Sequence, residues 1–437
     1  MHYFLSATGI PSCSDKQGRR YNVTTIFHID VNSAFLSWSA AEKTIDKDHP
    51  DLRTIPSIIG GDEKSRHGVV LAKSTPAKVY GIHTGEPVAS ALKKCPFLVI
   101  EPPNHKLYRQ KSAQLMELLY TYTSDLEQLS IDECFMDFGP IAHNFTSPET
   151  AAGQIKDRIR KELGFTVNIG ISTNRLLAKM ASDFQKPDRV HTLYPAEIPS
   201  KMWPLPVDEL YMVGHASANR LHQLGVHTIG DLAQTDPEIL ISHFKSHGRQ
   251  MWEYANGIAS SVIISSPQTL KGIGNSTTLS ADACTREEAL PVLLSLSETV
   301  SGRLRKEGKL ARSVTVEIKY SDFSSASHQM PAASPVNTTQ ALYQISCHLF
   351  DDFWNGSPIR LLGIRTGKLT DQNAPVQLSL FDFAVSREEK PERTSPSLEK
   401  QQKMDKAMDA IRQKYGSNAI MRGSFLKTPD RSPKQEE

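Results

Sequence analysis

Twice along this chain, apolar segments fall in the order strand, helix, strand, strand, helix, strand. That order constrains the fold more than any single residue, because a βαββαβ run closes an antiparallel sheet with its helices packed against it. In the first run, Thr24–Asp30 reads as a buried strand ending in a carboxylate, followed by a helix from Ala34 to Glu42. Lys106–Tyr122 carries Leu115, Leu119 and Tyr122 at helical spacing. Leu126–Ile131 and Cys134–Phe138 form a hairpin with Asp132 and Glu133 at its tip. A helix then starts at Pro148, with Ser147 as N-cap and Gly164 as stop, and Phe165–Ile171 is a strand. Asn174–Phe184 is a helix that stops near Pro187. Between these, residues 46–61 predict a loop and Val69–Ala72 a short strand.

The second run predicts strands near 271–280, 312–320, 326–331 and 359–368, with helices over 285–306 and 338–353. No sequence repeat relates it to the first. A helical region, Val207–Asn256, and a Ser-rich linker, Ala259–Ser266, lie between the two. After Thr370 the chain is polar and rich in Pro, Glu, Lys and Ser, which predicts a flexible tail.

At 437 residues the chain has room for several domains, and 39% hydrophobic with 22% charged residues excludes a wholly disordered or fibrous protein. Lys plus Arg number 50 against 48 Asp plus Glu, a net charge of +2, so any nucleic-acid binding rests on local basic patches. No apolar run reaches the ~18 residues of a membrane span. Residues 1–22 lack the basic start, apolar core and cleavage site of a signal peptide and read as a flexible leader. The five cysteines are widely spaced, without Cys-x-x-Cys, so a cytoplasmic location is the expectation.

The strongest chemical signal is Asp30 with Asp132 and Glu133, all at predicted strand ends. Three carboxylates in one sheet repel and call for cations, and hard oxygen ligands favour Mg²⁺ or Mn²⁺. Two such ions suit in-line phosphoryl transfer. The plainer reading makes Asp30 a helix cap and Asp132–Glu133 a solvated turn. Lys78 and Lys179 are positioned to meet phosphates or to lie on solvated faces, and Phe35 reads equally as a core aromatic.

Four ordered motifs identify a family: HIDVNSAFLSW (28–38), LAKSTPAKVYGIHTGEP (71–87), LSIDECFMDFG (129–139) and NIGISTNRLLAKMASDFQKPD (168–188). Together they resemble Y-family, or translesion, DNA polymerases of the DNA polymerase IV and UmuC type, over residues 24–383. The resemblance implies an α+β right-hand fold. Its parts are a ferredoxin-like palm (23–48 and 90–200), small fingers (49–89), a helical thumb with a helix-hairpin-helix (201–258) and a linker (259–268). A βαββαβ little finger (269–370) and a tail (371–437) complete it.

It further implies template-directed addition of dNTPs to a primer 3′ end past damaged bases, as part of the SOS response, with two Mg²⁺ ions for which Mn²⁺ substitutes. Asp30, Asp132 and Glu133 match the catalytic, metal-binding carboxylates, and the carbonyl of Val31 a further metal ligand. Phe35 matches the aromatic that rejects a 2′-hydroxyl, and Lys179 the lysine that contacts the incoming triphosphate. Thr75 and Lys78 stand where relatives carry Tyr and Arg on the nucleotide phosphates; Lys keeps the charge and loses the fork. Leu71 falls where many relatives have a small residue above the template base.

For DNA, Gly214 and Ala216 occupy the thumb hairpin, where relatives usually have a second glycine, and a plain helical bundle is the alternative reading. Arg303, Arg305, Lys309, Arg312 and Arg365 predict a phosphate-tracking face in the little finger. Gln377-Leu378-Ser379-Leu380-Phe381 resembles the peptide that binds the bacterial sliding clamp, and apolar anchors on a tether suit a groove. Met404, Met408, Ile411 and Tyr415 recur along an amphipathic helix that docks on the body or binds a damage-response accessory protein. A monomer without membrane attachment, acting on primer-template DNA, is the expectation. Two other classes compete: a clamp-tethered DNA-binding factor with weak or no synthesis, and another palm enzyme such as a nucleotide cyclase.

Overall fold

In a computed structural model, residues 24–43, 50–62, 68–266, 269–372, 396–416 and 419–423 are described, with three short strands near the N-terminus. Those strands, β1 (Tyr3–Leu5), β2 (Pro11–Ser14) and β3 (Arg20–Asn22), pair antiparallel, where the sequence predicts a flexible leader. The chain divides into two compact units, residues 1–267 and 268–437.

The first unit opens with β4 (Ile26–Val31) and α1 (Ala34–Lys43). A small module follows: β5 (Ser57–Gly60), β6 (Val70–Lys73), α2 (Thr75–Lys78), α3 (Val88–Lys94) and β7 (Val99–Glu101). β5 is fully buried within the stretch predicted as loop: Ile58 and Ile59 carry the apolar pair, and Pro and Gly flank it closely enough to hide the pattern. β7 pairs parallel with β5, and Ile82, Val88, Ala91 and Leu98 share one core. The module therefore extends through Glu101, past the boundary expected after residue 89.

The body of the unit continues with α4 (His105–Tyr120), β8 (Leu126–Gln128), β9 (Glu133–Asp137), α5 (Pro148–Leu163), β10 (Val167–Ser172), α6 (Arg175–Asp183) and β11 (Val190–Thr192). Its sheet runs β11-β10-β4-β9-β8, with β10, β4, β9 and β8 in the ferredoxin-like order. Local signals fix the helices. Ser147 accepts a hydrogen bond from the Thr150 amide at the start of α5, Pro148 takes the first position, and Gly164 ends it with φ 77°.

α6 lies directly on β10. A Cβ at Gly170 would stand 1.9 Å from the Ala178 carbonyl oxygen and 2.4 Å from the Ser182 amide nitrogen, so only glycine lets helix and strand approach this closely. The other face of α6, through Leu176, Leu177 and Met180, joins the core of four helices, α7 (His215–Gln223), α8 (Ile229–Gln234), α9 (Pro237–Phe244) and α10 (Ser246–Ala255). The stretch predicted as linker is tied to the sheet. Ser260 accepts from the Arg175 amide, the Ile264 amide donates to Glu127, and Ile263 packs against Ile26 and Phe135.

The second unit holds β12 (Gly272–Ala283), α11 (Arg286–Lys306), β13 (Lys309–Tyr320), β14 (Ser325–Val336), α12 (Thr339–Phe353) and β15 (Ile359–Asp371), as the sequence predicts. Strand order is β12-β15-β13-β14. Val314, Val316, Ile318, Leu362 and Ile364 face the helices and build the core. The opposite face is made of small and polar residues: Gly274, Arg365, Thr315 and Gln329 form one cross-strand row, and Ser276, Gly363, Glu317 and Ser327 the next.

A last helix, α13 (Pro396–Tyr415), packs on α11 and α12. Only part of the apolar stripe read in the sequence faces the body, and a charged residue beside it is buried more deeply. Met404 and Tyr415 are 43% and 67% exposed, whereas Asp405 is 3% exposed and Met408 9%. Asp405 accepts from the Thr339 amide at the N-terminus of α12 (2.9 Å), from Arg422 (3.0 Å) and from Arg305 (3.2 Å). Asp409 receives Arg305 through two nitrogens at 2.7 and 3.0 Å. Arg412 and Arg422 both reach Glu298 of α11. Charge satisfaction, which hydrophobic periodicity does not register, selects the docking face.

Candidate active site

The site begins with strand register. β4 and β9 are antiparallel, and Asp30 lies opposite Glu133. The Val31 amide donates to the Asp132 carbonyl at 3.0 Å, which extends the ladder to the turn and brings the acidic pair beside Asp30. Successive strand residues alternate faces, so His28 shares a face with Asp30.

Each carboxylate has a different partner. Glu133 Oε2 accepts from Lys179 Nζ at 2.5 Å and meets His28 Nε2 at 3.0 Å. The His28 hydrogen bond above all, with Lys179 beside it, holds the Glu133 carboxyl down at about 2 against the effect of burial. Asp30 pairs with Lys186, which also reaches Asp183 at 2.8 Å. Burial pushes the Asp30 carboxyl upward, against the pull of Lys186. Burial alone would depress the Lys186 ammonium, and the facing Asp30 and Asp183 raise it overall. Asp132 accepts from Ser130 Oγ at 2.6 Å.

The three predicted acids are therefore neighbours in the sheet, and cations are already drawn to two of them. Their oxygens are the hard donors that Mg²⁺ or Mn²⁺ prefers. Among the described residues, no three acidic, histidine or cysteine side chains converge on one point. Lys179 and Lys186 neutralise Glu133 and Asp30 respectively.

Lys186 was not singled out in the sequence, yet its loop is firmly placed. Asn32 Oδ1 accepts from the Asp188 amide at 2.9 Å, and its Nδ2 donates to Asn168 at 3.1 Å. Asn168 in turn donates to the Ser182 and Gln185 carbonyls. Sequence reading also passed over His28, although its place two residues before Asp30 in a strand was a usable signal.

Phe35 on α1 lies flat against Tyr108, ring centroids 4.5 Å apart and planes 9° apart. Tyr108 is fully buried and its hydroxyl meets Ser39 Oγ at 3.1 Å, so Phe35 rests on a fixed support. Thr75 and Lys78 are exposed on the single turn of α2, whose N-cap Ser74 accepts from the Ala77 amide. Leu71 is half-buried against the main core. A cavity of about 180 Å³ opens beside Lys179, between Phe135, Arg175, Tyr211 and Tyr254. It is smaller than the usual 300–1,000 Å³ of a ligand pocket.

Gly214 is the N-cap of α7 and makes no side-chain cap; with His215 and Ala216 it is exposed, leaving the first amides of that helix uncovered. The basic residues of the second unit separate. Arg365 and Arg312 are exposed on the sheet, and Arg303 donates to the Gly274 carbonyl. Lys309 pairs with Asp371. Arg305, predicted for phosphate, is spent on Asp405 and Asp409, with its side chain 11% exposed. Gln377, Leu378, Leu380 and Phe381 lie outside the described residues.

Comparison with known proteins decides the family. The impB/mucB/samB family matches residues 29–183, and its C-terminal domain matches residues 270–380. DNA polymerase IV of Clostridium acetobutylicum is 48% identical over 93% of this chain and 99% of that relative. The chain belongs to the Y family of DNA polymerases. DNA polymerase IV 1 of Bacillus subtilis is 36% identical over 94% of this chain and 95% of its own length. Among solved structures, a Y-family DNA polymerase chimera of Dbh and Dpo4 aligns with a TM-score of 0.69 at 20% identity, covering 79% of this chain and 99% of its own. The fold described above is thus that of a Y-family polymerase. No described helix is long and apolar enough to cross a membrane.

Proposed function

We propose that this chain is a translesion DNA polymerase that adds dNTPs to a primer 3′ end by two-metal-ion catalysis. One observation carries the reading: Asp30 stands opposite Glu133 in the β4–β9 register, Asp132 is adjacent, and Lys179 already rests on Glu133. Asp30, Asp132, Glu133 and the carbonyl of Val31 would hold Mg²⁺ or Mn²⁺. When bound, the ions lower the pKa of the attacking hydroxyl and neutralise charge on the triphosphate.

The remaining work falls to the chain's own residues. Lys179 is a mobile counter-charge: it neutralises Glu133 in the resting site and transfers to the triphosphate when substrate arrives. Lys78, on the exposed turn, supplies a second point charge for phosphate, and Thr75 a hydroxyl. Phe35, backed by Tyr108, presents a rigid ring against the sugar and leaves no volume for a 2′-oxygen. The uncovered amides at Gly214 and Ala216 take a DNA phosphate. Arg365, Arg312 and Arg303 serve the same end on the sheet of the second unit, whose glycine and serine rows let a DNA backbone approach closely.

We assign palm, fingers and thumb to the first unit and the little finger to the second. Gln377–Phe381 is proposed as the sliding-clamp peptide, and a cytoplasmic monomer as the working form. Primer extension on undamaged and lesion-bearing templates tests the reading. The wild type should extend both with Mg²⁺, and Asp132→Ala and Glu133→Ala should each abolish extension while keeping DNA binding. Full activity in both variants would defeat the two-metal assignment, and DNA binding by the wild type without extension would favour the clamp-tethered binding factor.

A further inference from the structure

The buried imidazole beneath the site has no part in the reading above. His28 is fully buried, with Nδ1 2.8 Å from Ser182 Oγ and Nε2 3.0 Å from Glu133 Oε2. Its ring packs on Phe135, the residue opposite it in the β4–β9 register, at 4.8 Å. Strand, helix and aromatic neighbour together fix where the ring can lie.

Its hydrogen bonds have one consistent arrangement for a neutral ring beside an ionised carboxylate. Nε2–H donates to Glu133, so Nδ1 must accept, and the donor is the Ser182 hydroxyl. That hydroxyl also lies 2.8 Å from the Lys179 carbonyl, its alternative acceptor one turn back in α6. Both His28 and Lys179 meet the same oxygen, Oε2, and Oε1 has no side-chain partner among the described residues. If Lys179 leaves for a triphosphate, the His28 hydrogen bond still holds Oε2 and limits how the carboxylate can turn.

We propose that His28 is a positioning residue for Glu133: the relay Ser182–His28–Glu133 holds the carboxylate in its ligating orientation once Lys179 has moved away. The inference rests on the two-metal reading. Partners of this kind typically change metal affinity or activity by about 10- to 100-fold when removed.

The test uses the full chain, with Mn²⁺ as probe. His28→Phe keeps an aromatic ring and removes both nitrogens. We expect kcat for correct dNTP insertion to fall about 10- to 100-fold with KM for dNTP unchanged, and Mn²⁺ affinity, read by electron paramagnetic resonance without substrate, to weaken over the same range. His28→Gln, which can return one N–H toward Glu133, should recover most of both losses. A folded His28→Phe with wild-type kcat and Mn²⁺ affinity overturns the proposal. Should that variant not fold, Ser182→Ala takes its place; it should weaken Mn²⁺ binding, and wild-type binding and kcat would overturn the relay. Glu133→Gln is the control. If it remains active, the two-metal reading fails; if it is inactive while His28→Phe is normal, only the role of His28 fails.

Discussion

Phe35 and Glu133 show how much a single side chain owes to its support. The steric role proposed for Phe35 needs a ring that does not retreat, and Tyr108 beneath it gives that resistance. Phe35→Ala should lower discrimination against ribonucleotides by roughly 10- to 200-fold, measured as the ratio of kcat/KM for dNTP and rNTP. Unchanged selectivity would remove Phe35 from the gate. Glu133 makes a pH prediction. Its folded-state pKa lies near 2, below the ordinary 4.5, so its ionised form stabilises the fold above about 4.5. That contribution fades as pH falls from about 4.5 through about 2. Melting temperature should therefore drop more steeply over this window in the wild type than in Glu133→Gln; parallel curves would refute it. At this scale the sequence was legible where chemistry clusters, as at Asp132–Glu133, and where the family motif names a position. His28 and Lys186 escaped it, because their meaning depends on which side chain another strand or loop brings within 3 Å.

Elements were legible where local signals agree. Ser147, Pro148 and Gly164 bracket α5, and the strands and helices of the second unit fall close to where alternation places them. β5 was hidden because four residues between turn formers leave no period to read. Gly170 sets a limit on the contact that positions Lys179. Gly170→Ala should push α6 off β10, lower stability by about 1–3 kcal/mol and reduce activity, read by urea melts and primer extension. Unchanged melting would mean that helix and strand can separate without cost. α13 is held by ion pairs whose partners are buried together. Asp405→Ala leaves Arg305 and the Thr339 amide without that acceptor, and should destabilise the second unit by about 3–5 kcal/mol. An unchanged unfolding transition would show that α13 is dispensable.

For the whole molecule, the near-zero charge of +2 conceals a division of labour. Acids collect in the β4–β9 sheet, and several arginines are neutralised inside the fold, as Arg305 is. Phosphate contact therefore rests on which basic groups stay unpaired and exposed, as Arg312 and Arg365 do, and not on net charge. Arg365→Ala should reduce the slope of log K against log salt by about 1, whereas Arg305→Ala should leave the slope unchanged and lower stability instead. Equal slopes for Arg365→Ala and the wild type would take Arg365 off the DNA. The end of β15 has a geometric consequence as well. Asp371, at the end of β15, and Pro396, at the start of α13, both belong to the second unit. Gln377 follows Asp371 by roughly six residues, a span of at most about 20 Å whatever course the chain takes. A partner that took hold of Gln377 would therefore stand within that distance of the strand end at Asp371.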